Sequence, residues 1–246
     1  MSDKSSHQLP DNNVVHLWNI LLAGDSTDGA GLDLPELLSD AEISRYSNIT
    51  HAILRRRFLR SRVALRNILS GYLDIAPEQI EFRYNENGKP FLNQAAGMPA
   101  LSFNLSHSAD QCLLAVTRSM NVGVDIEYVR PGRDYLALAR RFFTEQEFQL
   151  LASDAGRDLF YRMWVLKEAS VKARGMKLLA GLDRFQCSLS GDGILTVCDR
   201  SNAESEHGWY YRQWQPDSRF VAAMVANTKR AVCVDKKLFP ATSARI

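Results

Sequence analysis

LSFNLSHSADQCLLAVTRSMNVGVDIEYV, residues 101–129, is the stretch on which the fold turns. It holds three runs rich in apolar and β-branched residues, 101–107, 112–118 and 121–129, separated by short polar breaks, and so reads as three successive strands of one sheet. A strand sends alternate side chains to opposite faces. In the third run Val122, Val124, Ile126 and Tyr128 therefore make an apolar face, and Gly123, Asp125 and Glu127 make the other. Two carboxylates two residues apart lie roughly 7 Å apart at Cα and repel at neutral pH unless a cation or basic side chain sits between them. In this reading the glycine beside them leaves open space. The same alternation describes an ordinary solvated face of an edge strand, so a hard cation gains ground only if another carboxylate arrives from elsewhere.

Toward the N-terminus, QIEFRYNENGKP (79–90) reads as a short strand and a loop with N-G and K-P turn signals. Ser39, followed three residues later by Glu42, is a capping-box pattern that opens a long helical stretch to about Leu73. Within it Leu54, Phe58, Leu65, Leu69 and Tyr72 fall within about 40° of one direction, a core-facing stripe. VVHLWNILLA (14–23) is a first strand, closed by the Gly/Asp/Ser/Thr cluster 24–31. Toward the C-terminus a helical region runs from Tyr135 to Arg174, broken near 153–156, followed by strand-like pieces at 184–189, 193–198, 208–215 and 219–226. Strand, helix and several strands thus occur twice. The order hints at an α/β (α+β) chain of two similar lobes, residues 1–119 and 120–246, with the seam near 118–121.

With 46% hydrophobic and 24% charged residues, the 246-residue chain excludes disordered and low-complexity classes. At this length roughly 70–75% of the unfolded surface is buried, so no staples are needed. A formal charge of +2 is too balanced for general nucleic-acid or membrane-surface binding, and any basic site must be local. The four cysteines, Cys112, Cys187, Cys198 and Cys233, form no C-x-x-C pair and read as reduced residues. No apolar leader and no stretch of ~20 apolar residues occurs, which makes the cytoplasm the expected location.

A third carboxylate is offered by FYRMWVLKEASVKARGMKL (160–178), where Met163, Leu166 and Ala173, with Leu159 just before the stretch, form a core face and Trp164, Glu168 and Lys172 lie on another at i, i+4 and i+8. Glu168 and Lys172 by themselves are a routine surface pair. Trp164 on the same stripe favours a partly buried cleft wall, with a core-edge Trp as the alternative. In FNLSHS (103–108), Ser106 and His107 are adjacent in a strand, so their side chains point apart and do not make a hydrolase pair. They suit phosphate or ribose contacts, against a merely structural His. On the first long helix Arg55, Arg62 and Arg66 flank the core stripe and present a row able to read a polyanion, unless they are only a solvated face. Lys89 in NGKP is held in a turn, where it can meet a phosphate as a point charge or simply face solvent.

Taken together, NGKP (87–90), FNLSHS (103–108), GVDIE (123–127) and WVLKEASVKARG (164–175) resemble the ordered motif set of the Sfp-type 4′-phosphopantetheinyl transferases. The resemblance implies a pseudo-twofold arrangement of two similar lobes, each a small antiparallel-rich sheet packed on a long helix, with coenzyme A between them. It implies transfer of the phosphopantetheine arm to a serine of an apo acyl or peptidyl carrier protein, releasing adenosine 3′,5′-bisphosphate. Asp125, Glu127 and Glu168 resemble the magnesium carboxylates, with Asp125, Glu168 and Lys172 carrying catalysis and also touching the coenzyme. Lys172, Ser106 and His107 resemble its phosphate contacts; Lys89, with Pro90, and Arg62 resemble residues at its adenine-nucleotide end. A monomer is expected, because one chain supplies both lobes. The segment Ala173–Leu182 is either a helix end capped at Gly175 or Gly181, or a docking surface for the carrier. Two competing readings are another magnesium-dependent phosphoryl or nucleotidyl transfer enzyme, and a non-catalytic nucleic-acid binder using the Arg55–Arg66 helix.

Overall fold

The computed structural model describes residues 7–23, 37–93, 98–151, 156–201 and 208–238. The cluster at 24–31 and the helix break at 153–155 lie outside them.

Strand β1 (Val14–Leu21) leads to helix α1 (Asp40–Asn48) and helix α2 (Ala52–Leu73). Ser39 and Glu42 close the expected capping box. The single long helix of the sequence reading is in fact two, because the chain is extended at Ile49 and at His51, the N-cap of α2. Phe58, Leu65, Leu69 and Tyr72 are buried as the stripe requires, but Leu54 is 52% exposed, as residues 52–56 at the start of α2 all face solvent. A short hairpin, β2 (Phe82–Tyr84) and β3 (Pro90–Leu92), precedes β4 (Leu101–Ser108), β5 (Gln111–Arg118) and β6 (Val122–Tyr128). Then come α3 (Tyr135–Phe142), α4 (Glu145–Leu150), α5 (Gly156–Ala173) and the single turn α6 (Leu178–Gly181). The remaining strands are β7 (Phe185–Leu189), β8 (Leu195–Asp199), β9 (Tyr210–Trp214), β10 (Phe220–Ala226) and β11 (Val232–Leu238).

One sheet has the order β11-β1-β5-β4, another β6-β10-β9. The expectation that 101–107, 112–118 and 121–129 share a sheet is therefore corrected: β4 and β5 pair, but β6 pairs with β10. The apolar alternation explains why. Val122, Val124 and Ile126 point into a core shared with Val15, Leu17, Leu113 and Ala115 of the first sheet, so the two sheets stack face to face. On the outer side of the first sheet, α2 packs Leu65 and Leu69 against Trp18, Ile20 and Leu114. On the outer side of the second, α5 packs Val165, Leu166 and Ala169 against Val221, Ala223 and Val225. The molecule is thus a mixed α/β fold in which each sheet is backed by one long helix. Strand β11, absent from the sequence reading, returns to the first sheet parallel to β1, with Val14 opposite Val232.

Candidate active site

The site forms where edge strands β4 and β6 meet the last turns of α5. What brings them together is Gly123. A Cβ built there would lie 2.1 Å from the Ala169 carbonyl oxygen and 2.3 Å from the Ala173 nitrogen. The space beside the two carboxylates is therefore filled by a helix backbone, contrary to the sequence reading, and only glycine permits that approach. Nor is the Gly123/Asp125/Glu127 face solvated: Asp125 is 1% exposed.

Asp125 Oδ1 accepts hydrogen bonds from Lys172 Nζ at 2.6 Å and Ser106 Oγ at 2.7 Å, and Lys172 also pairs with Glu168 at 3.1 Å. Lys172 Nζ further lies 3.2 Å from Ser106 Oγ. Ser108 Oγ donates to Glu127 at 2.9 Å, and the Asn104 side-chain oxygen accepts from Val124 N at 2.8 Å, standing in for a ladder partner on the open edge of β6. Ser108 and Asn104 were missed as site residues. Their period-two spacing with Ser106 was the available signal.

One ligand oxygen each from Asp125, Glu127 and Glu168 lies within 4.8 Å of the others. Burial, and then the Glu168 carboxylate, push Asp125 well above the usual carboxylate range; burial likewise raises Glu127. Burial disfavours the Lys172 ammonium, but Asp125 and Glu168 outweigh it and hold the group above its ordinary value. Among the described residues the buried side-chain atoms without a hydrogen-bond partner are Glu42 Oε1, Arg62 Nε and Asp125 Oδ2. An orphaned carboxylate oxygen amid three crowded acids and one lysine is what a hard divalent cation relieves, so the donor set fits magnesium.

The arginine row is not uniform. Arg66 is buried, gripping Glu42 at 2.6 Å and the Pro77 and Ile80 carbonyls, so it braces α1 against α2 and faces no ligand. Arg55 is exposed over the Tyr46 ring. Arg62 alone keeps a buried, unpartnered Nε, and burial lowers its affinity for the proton. His107 sits at the exposed end of β4 with its flank desolvated; that burial, then Arg62 and Lys172, push its imidazole below the usual value. Lys89 donates to the Val122 and Lys172 carbonyls at 3.1 and 2.7 Å, and burial brings it down to about 8. Pro90 begins β3, and with Lys89, Asn85, Phe91, Phe103 and Arg174 it lines a cleft of about 400 Å³.

Trp164 proves to be a core-edge residue, not a cleft wall: it packs against Phe142 and Phe160 with ring centres 5.7 and 5.5 Å away. The segment after α5 is a helix end. Gly175 (φ +65°) donates to the Lys172 carbonyl and Met176 N to that of Val171, a Schellman cap, and Met176 and Leu178 pack on the core. The side chain of Leu179 lies outside the described residues.

The sequence model of the 4′-phosphopantetheinyl transferase superfamily matches residues 121–225, and that of a 4′-phosphopantetheinyl transferase N-terminal region matches residues 34–119. A Nostoc sp. protein, 4′-phosphopantetheinyl transferase HetI, is 37% identical over 85% of this chain and 86% of its own. The 4′-phosphopantetheinyl transferase Sfp of Bacillus subtilis is 31% identical over 75% of this chain and 76% of its own. A holo-(acyl-carrier-protein) synthase from Bacillus anthracis, solved in complex with CoA (3′,5′-ADP), is 18% identical, aligning over 43% of this chain and 93% of its own with a TM-score of 0.37.

Proposed function

The chain belongs to the 4′-phosphopantetheinyl transferase superfamily, and on that premise we propose how its residues move a phosphopantetheine arm from coenzyme A to the serine of an apo acyl or peptidyl carrier protein. The single observation that carries the reading is the Asp125–Lys172–Glu168 constellation at the seam of the two sheets, which sets one ammonium 2.6 Å from a buried carboxylate and 3.1 Å from a second acid. Asp125, Glu127 and Glu168 hold magnesium in this reading; when bound, the ion neutralises charge on the coenzyme's pyrophosphate.

Lys172 meets the β-phosphate, and Ser106 and His107 meet neighbouring phosphate oxygens. Glu168 accepts the proton of the carrier serine, whose oxygen bonds to the β-phosphorus. The bond from that phosphorus to the bridging oxygen breaks, and its electron pair leaves on adenosine 3′,5′-bisphosphate, so no strong acid is needed. Arg62, with one nitrogen buried and unpaired, reaches for the nucleotide end. Lys89 and Pro90 line the cleft of about 400 Å³. The reading also takes the chain as a cytoplasmic monomer divided at 119/120, with β11 lacing the second segment back onto the first sheet. Among the described residues no helix is long and apolar enough to cross a membrane.

The nucleic-acid reading is not favoured, because Arg66 is committed to Glu42 and drops out of the Arg55/Arg62/Arg66 row on which that reading rests. Incubation with a panel of apo carrier proteins, coenzyme A and magnesium, read by intact mass, tests the proposal. One phosphopantetheine per carrier is expected, lost in Asp125→Ala and in excess chelator. Full turnover in chelator would remove the metal from the reading.

A further inference from the structure

The β2–β3 turn, residues 85–89, does more than join two short strands. Its side chains reach across to the end of α5 and donate to carbonyls there, that of Gly175 past the cap and that of Lys172, which also accepts from Gly175 N. Asn85 Nδ2 and Asn87 Nδ2 each donate to the Gly175 carbonyl at 2.9 Å. Lys89 Nζ donates to the carbonyl of Lys172 at 2.7 Å and to that of Val122, at the start of β6, at 3.1 Å. One ammonium therefore ties the helix that carries Glu168 and Lys172 to the strand that carries Asp125 and Glu127. A cation at this position is also favoured by the helix macrodipole.

The turn is built for the task. Asn85 Oδ1 accepts from the backbone N–H groups of Asn87 and Lys89 at 3.0 and 2.8 Å, and Asn85 and Lys89 close a backbone bond at 3.0 Å. Gly88, at φ +81°, supplies the reversal that aims Lys89 inward. On the receiving side, a Cβ at Gly175 would crowd Asn85 Nδ2 at 3.0 Å, so the cap glycine also leaves room for the incoming amide.

We propose that Lys89 is a positioning residue, whose ammonium latches the turn of the first lobe to β6 and α5 and thereby sets the spacing between the three acids and Lys172. The latch rests on the transferase reading for its consequence, though not for its geometry. It acts through the backbone carbonyls of Val122 and Lys172, and this use of the ammonium replaces the contact at the adenine-nucleotide end that the resemblance implies for Lys89.

The test compares the wild type with Lys89→Met, which keeps length and loses the donors, and Asn85→Ala/Asn87→Ala, which keeps Lys89. Lys89→Met is expected to lower kcat for carrier modification ~10- to 100-fold, with the KM for coenzyme A within about threefold and the preference over dephospho-coenzyme A unchanged. Lys89→Arg, which retains donors, should recover part of kcat. In the protein alone, hydrogen exchange at the Gly175 and Met176 amides should quicken in both Lys89→Met and the double variant. A raised KM with lost preference for coenzyme A, or unaltered exchange at the helix end, would overturn the latch. Should the wild type modify no carrier, the transferase reading fails, while the exchange measurement still decides the latch. If Lys89→Met does not fold, the Asn85→Ala/Asn87→Ala variant carries the test alone: wild-type exchange and wild-type kcat together would refute it.

Discussion

Replacing Gly123 by alanine adds one methyl group at the point where β6 touches α5. The new carbon would sit 2.1 Å from the Ala169 oxygen, 2.3 Å from the Ala173 nitrogen and 2.9 Å from the Ala173 Cα, where ordinary contact begins at 3.4 Å. All three obstacles are backbone, so no side chain can rotate away, and the helix must retreat by about 1 Å. Overpacking of this kind costs typically ~1–3 kcal/mol, and rigid obstacles put the cost at the upper end, roughly a 5–10 °C fall in Tm for a chain of this size. The same retreat carries Glu168 and Lys172 away from Asp125, and a misplacement near 1 Å costs on the order of 100-fold in rate. Gly191→Ala is the control, because a Cβ there meets nothing within 4 Å. Thermal melts and carrier-modification kinetics on the two variants decide the matter. A Gly123→Ala protein with wild-type Tm and kcat would show that the close approach does not hold the site.

Further outcomes are expected elsewhere. Arg62→Ala should raise the KM for coenzyme A more than it lowers kcat and erase the preference over dephospho-coenzyme A; an unchanged preference removes Arg62 from the nucleotide end. Lys167 and Glu147 form a wholly buried pair at 2.7 Å, with Glu147 also accepting from Cys187 N. Lys167→Met leaves that carboxylate without its counter-ion, and denaturant melts should show a loss of ~3–5 kcal/mol; a stability unchanged within error would refute it. His16, whose Nδ1 lies 2.6 Å from the Tyr72 hydroxyl, is pushed down to about 4, by burial first and Lys236 next. The unfolded chain therefore binds this proton more readily, and its contribution, at most ~3 kcal/mol, is intact above pH ~6.5 and lost as pH falls toward 4. His16→Gln should flatten that part of the stability profile, and an unaltered slope would assign the acid sensitivity to other groups.

The readable parts of this chain were those governed by local period. Alternation in 122–128 and the four-residue stripe in 159–173 put the right side chains on the right faces, and the Ser39/Glu42 box marked a real helix start. Partner choice between elements was not legible. Nothing in the run 101–129 says that β6 leaves its neighbours to pair with β10, because both arrangements bury the same valines. Nor does the row of arginines on α2 disclose that Arg66 turns inward to Glu42, a residue set 24 positions earlier. At the candidate site, the acids and Lys172 stood out as chemistry. The small groups that hold them, Gly123, Asn104 and Ser108, matter through contacts made in three dimensions.

Strand β11 imposes an order on the birth of the molecule. Its partner β1 lies more than 200 residues earlier, since Val14 faces Val232 and Ile20 faces Leu238. On a ribosome, the first sheet therefore waits with one edge of β1 unpaired until the chain has emerged through residues 232–238. Closing so distant a pair is slow, and an open edge rich in β-branched and aromatic residues is an invitation to the wrong strand. A chain ending after Ala226 would keep every proposed active-site residue and still expose that edge for good.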